Sequence, residues 1–196
     1  MREIFYEESS TLIDFKSASF KYNFFAGFAI VAFLLNAPWL FVFAPGWLFD
    51  AKISLFLKIV LGGIPVIIFT LIGIFSWKYK NKFFVEYDYV FVDGSIRFSK
   101  VIKQKKRQFI IKFEASDIEK IGKLGSKTFY LYANRENVLT HVLTKNEYPA
   151  DGKDFFYMVA TVNTDTYLFV LECTEKFISN VLQYSRRSGI LDEEIK

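Results

Sequence analysis

The chain has 196 residues, 52% hydrophobic and 19% aromatic, with 25 basic and 21 acidic side chains and a net charge of +4. That length holds long apolar segments plus one domain of ordinary size, and excludes two further independent cores. The lone cysteine, Cys173, excludes an internal disulfide and a thiolate metal cluster, and the small basic excess argues against a nucleic-acid binder.

Residues 1–22 form an N-terminal segment carrying Glu7, Glu8 and Asp14. These acids, and the length of the apolar run that follows, argue against a cleaved signal peptide, so the first helix is expected to stay in the mature protein. No charged side chain occurs from Tyr22 to Phe49, nor from Ile59 to Trp77. Crossing the hydrocarbon layer takes roughly 20 apolar residues, so residues 23–78 are predicted to be a two-helix transmembrane anchor. The first span is Asn23 to Phe43, with a kink at Pro38 and a turn at Ala44-Pro45-Gly46; the second runs from near Ile53 to Trp77. Lys58 extends toward one interface, Trp39, Trp47 and Trp77 suit interfacial positions, and Lys78, Lys80 and Lys82 close the second span. Lys16 and Lys21 join those three lysines against Lys52 and Lys58 in the connection. This bias predicts a multi-pass plasma-membrane protein with both termini and the soluble domain cytoplasmic. Apart from Lys58 near one end, the spans lack the ionisable residues of a transport path, and Gly62-Gly63 and Pro65 leave a small homo-oligomer open.

Residues 79–190 read as one β-rich domain. Phe83, Val85, Tyr87, Tyr89 and Phe91 alternate with Glu86 and Asp88, and Asp93-Gly94 marks a hairpin. Ile96 and Phe98 lie on the returning strand, and Phe109, Ile111 and Phe113 on the next. Further strands are predicted at 117–122, 128–133, 138–143, 155–162 and 167–173, the last two joined at Asn163-Thr164-Asp165. Thr174 then caps a helix with the apolar stripe Phe177, Ile178, Val181, Leu182 and Tyr184, ended by Gly189. Residues 191–196, with Asp192, Glu193 and Glu194, read as a disordered acidic tail.

The expected architecture is thus a membrane α-helical hairpin plus an antiparallel barrel or sandwich of about seven strands closed by a C-terminal helix. That order resembles the pleckstrin-homology (PH) superfold. Two spans followed by Val85-Glu86-Tyr87-Asp88-Tyr89-Val90-Phe91-Val92-Asp93-Gly94, a basic hairpin at Lys103 to Arg107, and Ala115-Ser116-Asp117-Ile118 resemble a family of uncharacterised bacterial membrane proteins with a PH-like domain. The resemblance covers most of the chain and implies a fold but no reaction. The long polar connection from Lys145 to Asp154 departs from a minimal PH-like barrel.

The sharpest local feature is the run Lys100, Lys103, Lys105, Lys106 and Arg107, which has no intervening acid. It is read either as a contact for anionic lipid or a partner, or as a solvated tip that blocks edge pairing. His141, the single histidine, has no nucleophile or metal partner nearby in sequence, and Cys173 reads as a buried small hydrophobe. Glu86 and Asp88 share a strand face and read as solvated. The cluster Phe129, Tyr130, Tyr132, Phe155, Phe156 and Tyr157 fills the barrel or leaves some rings outward for a partner. No phosphate-binding glycine loop and no zinc spacing appear. The expectation is a non-enzymatic, membrane-tethered module with no cofactor that docks a partner protein or anionic lipid. The alternatives are an accessory subunit of a larger membrane complex and, third, a membrane-bound enzyme.

Overall fold

The computed structural model describes residues 4–38, 41, 50, 52, 54–185 and 189–192. They form two units, one of Met1–Asp14 and Val85–Lys196, the other of Phe15–Phe84. Trp39, Trp47, the Ala44-Pro45-Gly46 turn, Ile53, Glu193 and Glu194 lie outside the described residues.

The first unit contains two four-stranded sheets. Strands β1 (Phe5–Ser10), β2 (Val85–Val92), β3 (Ser95–Ile102) and β4 (Lys106–Glu114) form one sheet in that order, each pair antiparallel. The segment before the apolar runs is therefore not separate from the domain. Phe5 pairs with Val92 and Ser10 with Tyr87, so β1 completes the sheet from the far side of a long insertion. The β2–β3 turn places Asp93 and Gly94 at φ 47° and 90°, the left-handed pair that a tight hairpin requires. A bulge between Phe98 and Ser99 shifts β4, so Phe109 pairs with Ser99 and is 60% exposed instead of joining Phe113 in the core.

Strands β5 (Ile118–Lys123), β6 (Val138–Val142), β7 (Asp154–Val162) and β8 (Asp165–Cys173) form the second sheet in the order β5-β7-β8-β6. Pairing is antiparallel except between β6 and β8, which run parallel. The strand expected at 128–133 is a helix, α3 (Lys127–Ala133). Ser126 caps it by accepting from Phe129 N–H at 3.2 Å. Phe129 and Tyr132, three residues apart, then share one helical face and pack on Tyr157, Val159 and Leu168, whereas Tyr130 and Tyr132, two apart, mimic strand alternation.

The core lies between the sheets. Tyr89, Phe91, Phe98 and Phe113 from the first sheet meet Met158, Phe169 and Leu171 from the second, with the Phe98 and Phe169 ring centroids 5.1 Å apart. Helix α4 (Glu175–Ser185) buries Phe177, Ile178 and Val181 against the same core, as its stripe predicts. The chain then turns at Gly189 and runs along β5, with Ile121 N–H donating to Ile190 and Asp192 N–H to Ile121. Asp192 is 4% exposed and accepts from Ser126, Thr128 and Tyr157 hydroxyls at 2.9, 3.0 and 2.8 Å. This residue of the expected loose tail is therefore part of the fold, because three hydroxyls satisfy its carboxylate.

In the second unit, α1 runs from Phe15 to Pro38, starting well before Asn23. A turn at Leu55–Leu57 and a π-helical segment at Lys58–Gly63 lead into α2 (Ile64–Tyr79), and a 3₁₀ turn follows at Lys80–Phe83. Close helix approach occurs at Gly73, where a Cβ would lie 2.8 Å from the Phe33 ring. Ala29 and Ala32 are buried, and Asn36 Nδ2 donates to Thr70 Oγ1 at 3.2 Å. Phe15–Ala37 and Leu55–Phe83 are long and apolar enough to cross a membrane. Only 17% and 0% of their apolar windows are buried.

Candidate functional site

Strands β3 and β4 make a two-stranded ribbon that gathers the basic side chains. Its turn has Lys103 at φ 53° and Gln104 at φ 54°, with Lys105 N–H donating to Ile102 at 3.1 Å. Neither residue is glycine, asparagine or aspartate, so each left-handed position costs on the order of 1 kcal/mol that the Asp93-Gly94 type of turn avoids. Folding of the hairpin alone does not call for lysine there.

The expected basic residues divide. Lys105, Lys106 and Arg107 are exposed, while Lys100 and Lys103 are partly covered. Arg107 is not a free cation. Its Nε lies 3.1 Å from Asp88 Oδ2 as an ion pair without a directed hydrogen bond, and its Nη2 lies 3.4 Å from Glu7 Oε1. Asp88 is itself buried and accepts from Ser9 Oγ at 2.8 Å, so it is not the solvated carboxylate that alternation suggests. Arg107 thus ties β4 to β1 and β2.

The ribbon also recruits two cations outside the sequence cluster. Arg97 and Lys112 are exposed and directly opposite each other in the β3–β4 register. Like charges so placed repel, and the Arg97 guanidinium lies 5.6 Å from the exposed Phe109 ring centroid. Among the described residues, Arg97, Lys100, Lys105, Lys106 and Lys112 form no ion pair. Counting outward from the hairpin turn would have matched Arg97 with Lys112 to within the bulge, a signal available in the sequence.

The other expected site residues differ in exposure. Lys78 and Lys82 are exposed, and Lys82 Nζ lies 4.7 Å from the Tyr79 ring centroid. Lys80, expected at an interface, is only 4% exposed, with its ammonium over the Tyr22 and Trp77 rings. Aromatic faces replace part of its hydration. Trp77 is exposed. His141 packs beside Tyr167 and Phe169, and burial pushes the Cys173 thiol well above its ordinary pKa. Of the aromatic cluster, Phe156 and Tyr157 are buried, Phe129, Tyr132 and Phe155 partly so, and Tyr130 faces outward.

Two buried carboxylates organise the rest of the domain. Glu172 is 0% exposed. Its Oε2 accepts from Ser10 Oγ and Thr144 Oγ1, each at 2.6 Å, and from Asn146 Nδ2 at 2.7 Å; its Oε1 accepts from Ala150 N–H at 2.9 Å. Burial alone raises its pKa, but these donors outweigh that effect and hold the carboxyl below its ordinary value. Glu8 accepts from Thr174 N–H and Oγ1 at 2.9 and 3.0 Å, with Lys153 Nζ at 3.4 Å. The polar connection after Lys145 is ordered by these groups. The arrangement clamps β1 to β8 and to the connection before β7.

The chemistry displayed outward is therefore a basic ribbon with one exposed ring, suited to anions. No curated protein and no solved structure matches the chain. The family model described as bacterial PH-like domain (DUF6106) matches residues 40–190, a span that includes β2 to β8 and α4 but neither β1 nor α1. With most of the chain matched, and with two four-stranded sheets and a closing helix behind the match, this protein belongs to the bacterial PH-like domain family.

Proposed function

We propose that the chain is a membrane-tethered PH-like binding module, not a catalyst, which lays the β3–β4 ribbon on anionic lipid headgroups at the cytoplasmic face of the plasma membrane. The observation that carries this reading is the set of five cations without ion pairs on one hairpin, beside a turn that accepts strain to hold Lys103. Each cation near an anionic leaflet contributes on the order of 1 kcal/mol within a Debye length of about 8 Å.

Tethering is supported by the helices. The 24 residues of α1 extend about 36 Å, enough to cross a hydrocarbon layer of about 30 Å. Core helices of soluble proteins are mostly buried, whereas these leave their apolar windows almost uncovered. Because β1 and β2 pair on either side of the insertion, a membrane-inserted Phe15–Phe84 must cross an even number of times. Lys16, Lys21, Lys78 and Lys82 favour the cytoplasmic side for both ends.

The test uses the full chain in nanodiscs, with a polarity-sensitive dye on Gln108→Cys; buried Cys173 stays unlabelled. Emission should shift to the blue in a bilayer containing anionic phospholipid and revert in high salt. Replacing Arg97, Lys105, Lys106 and Lys112 together with Gln should abolish the shift. Equal emission in neutral and anionic bilayers rejects lipid contact, and stoichiometric co-purification of a membrane protein in mild detergent would then favour the accessory-subunit reading.

A further inference from the structure

The four sheet edges are not protected alike. β1 carries Glu7 and Glu8, and β4 carries Lys106, Arg107 and Lys112, charges that discourage strand addition. The β5 edge is covered by residues 190–192 through the two hydrogen bonds of Ile121. Only β6, Val138-Leu139-Thr140-His141-Val142, has neither a charge nor a cover among the described residues. Its Leu139 and Val142 are 50% and 55% exposed.

The backbone register fixes which groups are on offer. Leu143 N–H donates to Val170 and Val142 pairs with Val170 in a parallel ladder, so odd-numbered residues turn their peptide groups toward β8. Val138, Thr140 and Val142 turn theirs outward, and Val138 N–H is already used on Arg135. Thr140 and Val142 therefore present two N–H and two C=O groups to whatever lies beside them.

We propose that β6 is a homodimer seam, in which two copies pair antiparallel through Thr140 and Val142 about a two-fold axis at His141. This register satisfies every outward group of both residues, since Thr140 of each copy exchanges both hydrogen bonds with Val142 of the other. A two-fold centred on Thr140 instead would set Val142 opposite Val138, whose N–H is taken. The seam is independent of the basic ribbon and of lipid.

In this register the two His141 residues form a non-hydrogen-bonded pair, whose Cα atoms lie about 4.5 Å apart, within the range a disulfide spans. The full-length His141→Cys chain in detergent should give a disulfide dimer under mild oxidation, while Thr164→Cys at the β7–β8 turn should not. Adding Val142→Lys to His141→Cys should remove the dimer band. Native mass spectrometry of the unsubstituted chain supplies a readout that needs no cysteine, with a dimer expected for the parent and a monomer for Val142→Lys. A monomeric parent, or His141→Cys cross-linking no better than Thr164→Cys while melting like the parent, overturns the proposal.

Discussion

Glu172 is the residue on which the N-terminal strand, the polar connection and β8 converge, and its effect can be signed. Its folded pKa lies below the unfolded value of about 4.3. The stabilisation from its ionised form is therefore fully present above that value and is lost as pH falls through the folded pKa. Glu172→Gln should cost about 2–3 kcal/mol near neutral pH, because donors are left facing an amide. Denaturant melts should show the gap between parent and variant narrowing below about pH 4. Gly122 makes a different demand: the Tyr157 ring lies where a Cβ would be. Gly122→Ala should destabilise by about 1–3 kcal/mol, and Tyr157→Ala in the same chain should relieve part of that cost in a double-mutant cycle. Cys173 is buried with a raised pKa, so alkylation should proceed at a useful rate only in denaturant. Alternation already marked Cys173 as core; the partners of Glu172 lie at Ser10, Thr144, Asn146 and Ala150, and no local spacing connects them.

At the scale of elements, β1 separates what could be read from what could not. Residues 85–196 alone lack the strand that supplies Glu8, Ser9 and Ser10 to the clamp. That fragment should show no cooperative melt by circular dichroism, whereas a chain with 15–84 replaced by a short Gly-Ser turn between Asp14 and Val85 should fold. Strands β2 and β3 were legible from period-two alternation and β7 and β8 from continuous apolar runs, with the turn residues Asp93-Gly94 and Asn163-Thr164 as further local signals. Strand β1 was not, since Phe5–Ser10 is mostly polar and pairs across the whole insertion. Helix α3 was misread because aromatic residues at Phe129, Tyr130 and Tyr132 fit both periods, and the Ser126 cap decided between them. The basic ribbon was half legible: the lysines announce themselves, but the Asp88–Arg107 pair and the Arg97–Lys112 juxtaposition depend on strand register.

For the whole molecule, the β1–β2 pairing makes a topological prediction. In cells, a membrane-impermeant thiol reagent should reach Lys52→Cys in the helical connection but not Thr164→Cys at the domain hairpin until the membrane is opened; both positions are exposed, so burial does not confound the comparison. Labelling of both, or of Thr164→Cys alone, would overturn the cytoplasmic assignment. Composition and local spacing were enough to show the segregation of apolar runs from a β-rich domain, the closing helix and the concentration of lysine on one hairpin. Those features are written in near-neighbour periodicity and composition, where each residue's preference for water or burial acts independently of the rest of the chain. Long-range pairing in the folded chain was needed to show that the domain begins before the helices, that Arg107 is held by Asp88 and Glu7, that Asp192 is buried and that β6 is an open edge among the described residues. Each of these turns on which distant backbone or side-chain groups satisfy one another once buried, and a hydrogen bond spanning more than a hundred residues leaves no periodic trace.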